Sequence, residues 1–153
     1  MSGDARGKAL VGAQFVCLAG LAWPGAATWS TPGWVRGGAV LAVVGGGVLA
    51  LAGGGRLGSS LSPFPAPVEG AELRTDGAYA LVRHPIYTGL LAAATGVAVL
   101  RGRPEPLAAV AVLSAVLHVK AGYEEGLLRD RFGAAYEEYA ARVPRLVPRP
   151  RRS

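Results

Sequence analysis

The sequence predicts an all-α fold, an integral membrane bundle of about four transmembrane helices closed by an amphipathic C-terminal helical tail. Three observations predict it. Hydrophobic residues make up 51% of the 153-residue chain and charged residues 17%, with a mean hydropathy of +0.33, a balance richer in apolar groups than an ordinary soluble domain. The apolar residues fall in four blocks rather than in narrow stripes, at residues 10–29, 34–54, 85–100 and 106–123. Beyond them Leu128, Phe132, Ala135, Tyr139 and Val143 recur at spacings of three and four, the period of a helix with one apolar face. The whole chain, 1–153, reads as a single membrane domain.

The first two blocks carry almost no charge, and each approaches the roughly 20 residues that cross about 30 Å of hydrocarbon at 1.5 Å per residue. The third block is short, and the fourth holds His118 and Lys120 near its end, so tilt or local thinning is expected there. A cleaved secretory segment is the competing reading of the first block, given its basic start and the small residues Gly25-Ala26-Ala27. Glycine runs such as Gly45-Gly46-Gly47 lie inside the blocks. None follows a strand or opens a βαβ unit, so they read as surfaces for close helix packing rather than as nucleotide loops. Cys17 is the single cysteine, which leaves no disulfide framework; it reads as packing, and no metal-ligand spacing is present.

The net charge of +6 comes with half of the 16 basic residues between Lys120 and the C terminus. Arg145, Arg149, Arg151 and Arg152 therefore read as juxtamembrane charge facing lipid headgroups, not as a nucleic-acid surface. Arg6 and Lys8 place the N terminus, the connection from 55 to 84 and the C-terminal tail on the cytoplasmic side. Arg101 and Arg103 disagree, because they lie in a short connection that this topology puts outside.

Reactive groups concentrate in two segments on the same expected side, 57–89 and 118–148. In the first, Ser62-Pro63, Pro65 and Pro67 make a loop, and Thr75-Asp76-Gly77 turns into a short segment, Ala78 to Val82. Pro85 suits the first position of the third helix, since its missing N–H costs nothing there, and His84 is then the cap. Open backbone N–H groups at this helix start, with Arg83 beside them, suit an anionic group; lipid-facing Arg83 and a merely capping His84 are the plainer reading. Glu124 and Glu125 follow an apolar stretch at the membrane boundary, where a carboxylate needs a partner or water, so they are site candidates unless they simply mark the helix's exit. Gly133 is expected to end one helix and start another.

Taken together, Gly77-x-Tyr79-x-x-Val82-Arg83-His84-Pro85-x-Tyr87-x-Gly89, Glu124-Glu125-x-x-Leu128 and Phe132-Gly133-x-x-Tyr136-x-x-Tyr139 resemble the isoprenylcysteine carboxyl methyltransferase family and its bacterial relatives, which are similar to phospholipid methyltransferases. The resemblance covers roughly residues 57–148; the two N-terminal helices match only in being apolar. It implies a helical membrane enzyme that uses S-adenosylmethionine, with Tyr79, Val82, Arg83, His84, Tyr87, Gly89, Glu124 and Glu125 as cofactor-binding candidates. Leu81 joins them through its backbone. Arg83 and Glu125 are the candidates for the catalytic role.

The charges of S-adenosylmethionine, a sulfonium, an ammonium and a carboxylate, complement such a set: Arg83 or backbone N–H groups for the carboxylate, a glutamate for the ammonium or ribose hydroxyls. The implied acceptor is a lipophilic small molecule or lipid. If the acceptor is a carboxylate, it is already ionised near neutral pH and positioning can supply most of the acceleration. An amine or hydroxyl would need a base, for which His118, Tyr123 and Glu124 are candidates. Two other readings compete. A nicotinamide-dependent membrane reductase shares an Arg-His-Pro-x-Tyr element, but Ile86 and Leu90 replace the Asn and acidic residue usual there; a non-enzymatic membrane protein would bind no cofactor.

Overall fold

A computed structural model describes residues 2–57 and 72–148. Among the described residues five α-helices follow in order, α1 (Ser2–Leu21), α2 (Gly33–Leu57), α3 (Pro85–Arg101), α4 (Pro104–Phe132) and α5 (Ala134–Arg142), with a 3-10 turn, Gly77–Ala80, ahead of α3. The expected loop at Ser62 to Pro67 and the arginines at 149, 151 and 152 lie outside the described residues.

The fold class is all-α, and α2 and α4 are long and apolar enough to cross a membrane, while α3 is apolar but shorter, at 17 residues. The expectation of about four spans, with the third one short, is met by these three helices and differs at α1. The first helix is not 10–29 but Ser2–Leu21, so it carries Arg6 and Lys8 on its opening turns and is not among the helices long and apolar enough to cross a membrane. It stops because Pro24 offers no N–H to continue the ladder, and the segment beyond it is held elsewhere: the Thr28 and Trp29 N–H groups donate to the Gly102 carbonyl at 2.8 and 3.3 Å. Ala22 to Trp29 are apolar, but apolarity alone does not fix a helix.

That connection also explains the arginines that disagreed with the charge rule. Arg101 Nη2 and Arg103 Nη1 both donate to the Trp23 carbonyl, at 2.6 and 3.2 Å. Gly102 between them adopts φ +60°, which a side chain would strain, and closes α3. These two cations therefore tie the α1–α2 connection to the α3–α4 connection.

α2 lies along α3 through small residues at seven-residue intervals. Ala39, Gly46 and Gly53 are its buried positions, and they meet Gly96, Gly89 and Pro85 of α3. A Cβ on Gly46 would strike the Gly89 carbonyl, and one on Gly89 would strike the Gly46 carbonyl and the Ala50 nitrogen. Backbone-to-backbone approach of this kind is how apolar helices associate where lipid removes the hydrophobic drive between them. On the other side of α3, Cys17 and Leu21 of α1, Tyr87, Ala94 and Ala98 of α3, and Leu113, Leu117 and Ala121 of α4 form the apolar core.

α4 runs nine residues past the expected end of its span, so Leu128 and Phe132 belong to it rather than to the tail. Gly133, at φ +52°, separates α4 from α5 as expected. The apolar stripe needs correction across this break: Tyr136 and Tyr139 are buried and Ala135 is exposed, because the change of direction at Gly133 resets the helical phase.

Candidate functional site

The site forms where the start of α3, the middle of α4 and the segment after α5 meet. Pro85 opens α3 with His84 at the cap position, but the His84 side chain makes no capping bond. Its ring instead points into α4, Nδ1 3.3 Å from Glu124 and Nε2 3.3 Å from Glu125. Neutral imidazole has one N–H and could donate to only one of them; the imidazolium can donate to both. Burial opposes that charge, but the hydrogen bonds and negative charge of the two glutamates outweigh it, and the His84 pKa is raised above its ordinary 6.5.

Glu125 is fully buried and holds the densest set of cations among the described residues. Its Oε1 accepts from Arg83 Nε and Nη2 at 3.1 and 2.8 Å and from Arg145 Nε at 2.9 Å, and its Oε2 accepts from Arg145 Nη2 at 2.6 Å. Arg83 also donates through Nη1 to the Ala140 and Val143 carbonyls at 2.7 and 2.8 Å. It therefore turns inward, not toward headgroups, and stitches the end of α5 to α4. The same strap is fixed by Arg83 N–H to the Pro144 carbonyl, His84 N–H to the Arg145 carbonyl and Thr88 Oγ1 to the Leu146 carbonyl, at 2.8, 3.1 and 2.7 Å. The Arg83 guanidinium and the Arg83 and His84 N–H groups just ahead of α3 are thus engaged by acceptors of the chain itself.

Glu124 is the more open of the pair, with 16% of its side chain exposed against none for Glu125. It accepts from the Tyr87 hydroxyl, and the Tyr87 ring stacks parallel to His84 with centroids 5.4 Å apart. Tyr79 lies close by on the 3-10 turn; burial first, then the charge of Glu124, pushes its hydroxyl up to about 12, and its carbonyl accepts from the Tyr139 hydroxyl at 2.7 Å. Tyr79 therefore stays a protonated donor through the neutral range.

The structure thus gathers Arg83, His84, Tyr87, Glu124 and Glu125 into one hydrogen-bonded group with Tyr79 beside it. Val82 is buried next to it. Leu81 is 55% exposed, and Gly89 lies in the α2–α3 seam, where its missing side chain makes room for α2. Two residues escaped the sequence reading. Arg145 was expected at headgroups and is instead the bidentate partner of Glu125. Lys120 is 1% exposed, donates to Gln14 of α1 at 2.9 Å and stands 5.1 Å from the Tyr87 ring centre. The signal for Arg145 was stoichiometric: two adjacent acids at a membrane boundary require cations, and the basic tail was the nearest supply.

Comparison with known proteins identifies the family. The profile of the family described as "Phospholipid methyltransferase" matches residues 36–135, which takes in most of α2, all of α3 and α4, and the segments Gly77 to Gly89 and Glu124 to Leu128. Protein-S-isoprenylcysteine O-methyltransferase B of Arabidopsis thaliana is 38% identical over 81 residues, 52% of this chain and 41% of that protein. Protein-S-isoprenylcysteine O-methyltransferase of Schizosaccharomyces pombe is 39% identical over 77 residues, 50% of this chain and 33% of that protein. Methanethiol S-methyltransferase 2 of Bradyrhizobium diazoefficiens is 38% identical over 82 residues, 54% of this chain and 31% of that protein. The matched stretch spans less than half the length of each of these relatives. The chain belongs to the phospholipid methyltransferase family of membrane methyltransferases, whose methyl donor is S-adenosylmethionine.

Proposed function

We propose that this protein transfers a methyl group from S-adenosylmethionine to a lipophilic acceptor at the cytoplasmic face of a membrane, with the N and C termini on that face. The observation that carries the reading is the convergence of the two family motifs: Arg83, His84 and Tyr87 all bond to the tandem glutamates some forty residues away in sequence.

The donor set fits the cofactor. S-adenosylmethionine supplies an electrophilic methyl on a sulfonium and carries an ammonium beside it, and both favour a carboxylate neighbour over bulk lipid. Glu124 is the residue for this role, because it is partly open and its partners leave acceptor capacity, with the Tyr87 and Tyr79 hydroxyls positioned beside it. Glu125 has its oxygens committed to Arg83, Arg145 and His84, so it positions the group rather than touching the cofactor. Arg83 positions likewise, holding Glu125 and the strap in register.

The relatives' names describe acceptors of two kinds, an isoprenylcysteine oxygen and methanethiol sulfur. For this chain a carboxylate acceptor is favoured, because it is ionised near neutral pH without a base, whereas a thiol, with an ordinary pKa of about 8.5 or above, needs deprotonation first. The test is calorimetric titration of the detergent-purified protein with S-adenosylhomocysteine and, separately, NADPH. Saturable binding of the first alone is expected; binding of NADPH alone, or of neither, would overturn the reading.

A further inference from the structure

We infer that the face of α4 turned away from the glutamates is a second binding site, which takes an amphiphile with an anionic head. Gly122 and Gly126 stand one helical turn apart there, and a Cβ on either would meet no atom within 4 Å. Each glycine costs a helix about 1 kcal/mol relative to alanine, and neither returns that cost through packing, in contrast to Gly46 and Gly89. What the pair does produce is space. The two glycines line a groove of about 480 Å³ between α4 and the start of α1, within the range of small-molecule sites.

The lining has two characters. Val119, Tyr123 and Leu127 make an apolar wall, and Arg6, His118 and Arg145 bring cationic or donor groups. Asp130 is the one carboxylate in the lining. Arg6 lies over the Tyr123 ring, 5.5 Å from its centre, which holds the cation at the groove. A headgroup carrying a phosphate or carboxylate meets Arg6, with the charge of Arg145 beside it, whose nitrogens face Glu125 and His118, and its alkyl chain follows Val119 and Leu127 toward the apolar part of α4. The position suits such a molecule, because the groove begins where the apolar stretch of α4 ends. Arg145 also grips Glu125 on the other side, so the groove and the candidate methyltransferase site share one cation. Arg6 lies outside the family match of residues 36–135, and the inference does not depend on the S-adenosylmethionine reading.

The anion has two sources, a phospholipid headgroup or a free lipophilic carboxylate, and two probes separate them. The full chain in maltoside detergent is titrated with dihexanoyl phosphatidylglycerol and with dodecanoate, alongside Gly126→Leu, which fills the groove and strengthens the helix, and Arg6→Gln. Saturable binding of either probe, weakened tenfold or more by both substitutions while S-adenosylhomocysteine affinity stays within twofold, supports the site, and the probe that binds names the source. No binding of either probe overturns it, as does binding that both variants leave unchanged. A fall in S-adenosylhomocysteine affinity in Gly126→Leu would overturn it by giving the groove to the cofactor. A wild-type dimer, seen by light scattering, that Gly126→Leu dissociates would overturn it by making the glycine pair a helix–helix seam.

Discussion

The α2–α3 seam and the cluster around Glu125 hold neighbouring parts of the same helix α3 by opposite means. In the seam, side chains are absent: Gly46 and Gly89 let two backbones touch, and dispersion over a long contact does the holding. In the cluster, charge is dense: one fully buried carboxylate accepts from two guanidiniums and faces an imidazole. The seam tolerates loss of charge and no gain of volume; the cluster tolerates small changes of volume and no loss of charge. The comparison implies that a substitution at either place reads out the local physics before it reads out chemistry, and that site residues have to be tested with this in mind.

The largest effect is expected at the centre of the cluster. Replacing Glu125 by Gln or Leu strands the largely buried Arg83, leaves the half-buried Arg145 without its carboxylate and removes the anchor of the strap, a loss of about 3 kcal/mol by analogy with broken buried ion pairs. Thermal unfolding in detergent should show it as a large drop in melting temperature, and an unchanged melting temperature would break the contrast drawn here. The seam comes next: Gly89→Val drives a branched side chain into the Gly46 carbonyl, and overpacking of this kind costs about 1–3 kcal/mol or more. The same scan measures it.

The smallest effect concerns His84. Its folded pKa is raised above 6.5, so the stabilisation from its charge is fully present below the unfolded value and is lost as pH rises through the folded one. The melting-temperature gap between wild type and His84→Asn should therefore be widest below the ordinary value of 6.5 and narrow as the pH rises above it. A gap that widens with pH would mean that the ring is held neutral between the two glutamates.

Much of this was legible in the sequence for local reasons. Pro85 announced the start of α3 and Gly133 the break after α4, because each residue's backbone restriction acts where it stands. α2 came within three residues of its bounds, since an unbroken apolar run has one conformation that satisfies its backbone in lipid. Other features depend on partners far away in the chain. Arg145 reads as one more basic tail residue until Glu125, twenty positions earlier, is found against it. Arg101 and Arg103 look like topology signals until the Trp23 carbonyl, nearly eighty positions away, is seen to need donors. The tail stripe failed for a geometric reason, since a helical period cannot be carried through a left-handed glycine. Gly89 matched the family pattern, and its surroundings show a packing role that the pattern alone does not distinguish from a binding one.

The two glutamates were inseparable in sequence, and the structure divides them: Glu124 partly open and held by Tyr87 and His84, Glu125 fully buried and committed to the scaffold. The measurement that tests this division most directly is S-adenosylhomocysteine affinity together with melting temperature for Glu124→Gln. The account predicts affinity weakened tenfold or more, about 1.4 kcal/mol, with the melting temperature close to that of the wild type. Unchanged affinity in a folded Glu124→Gln protein would contradict it.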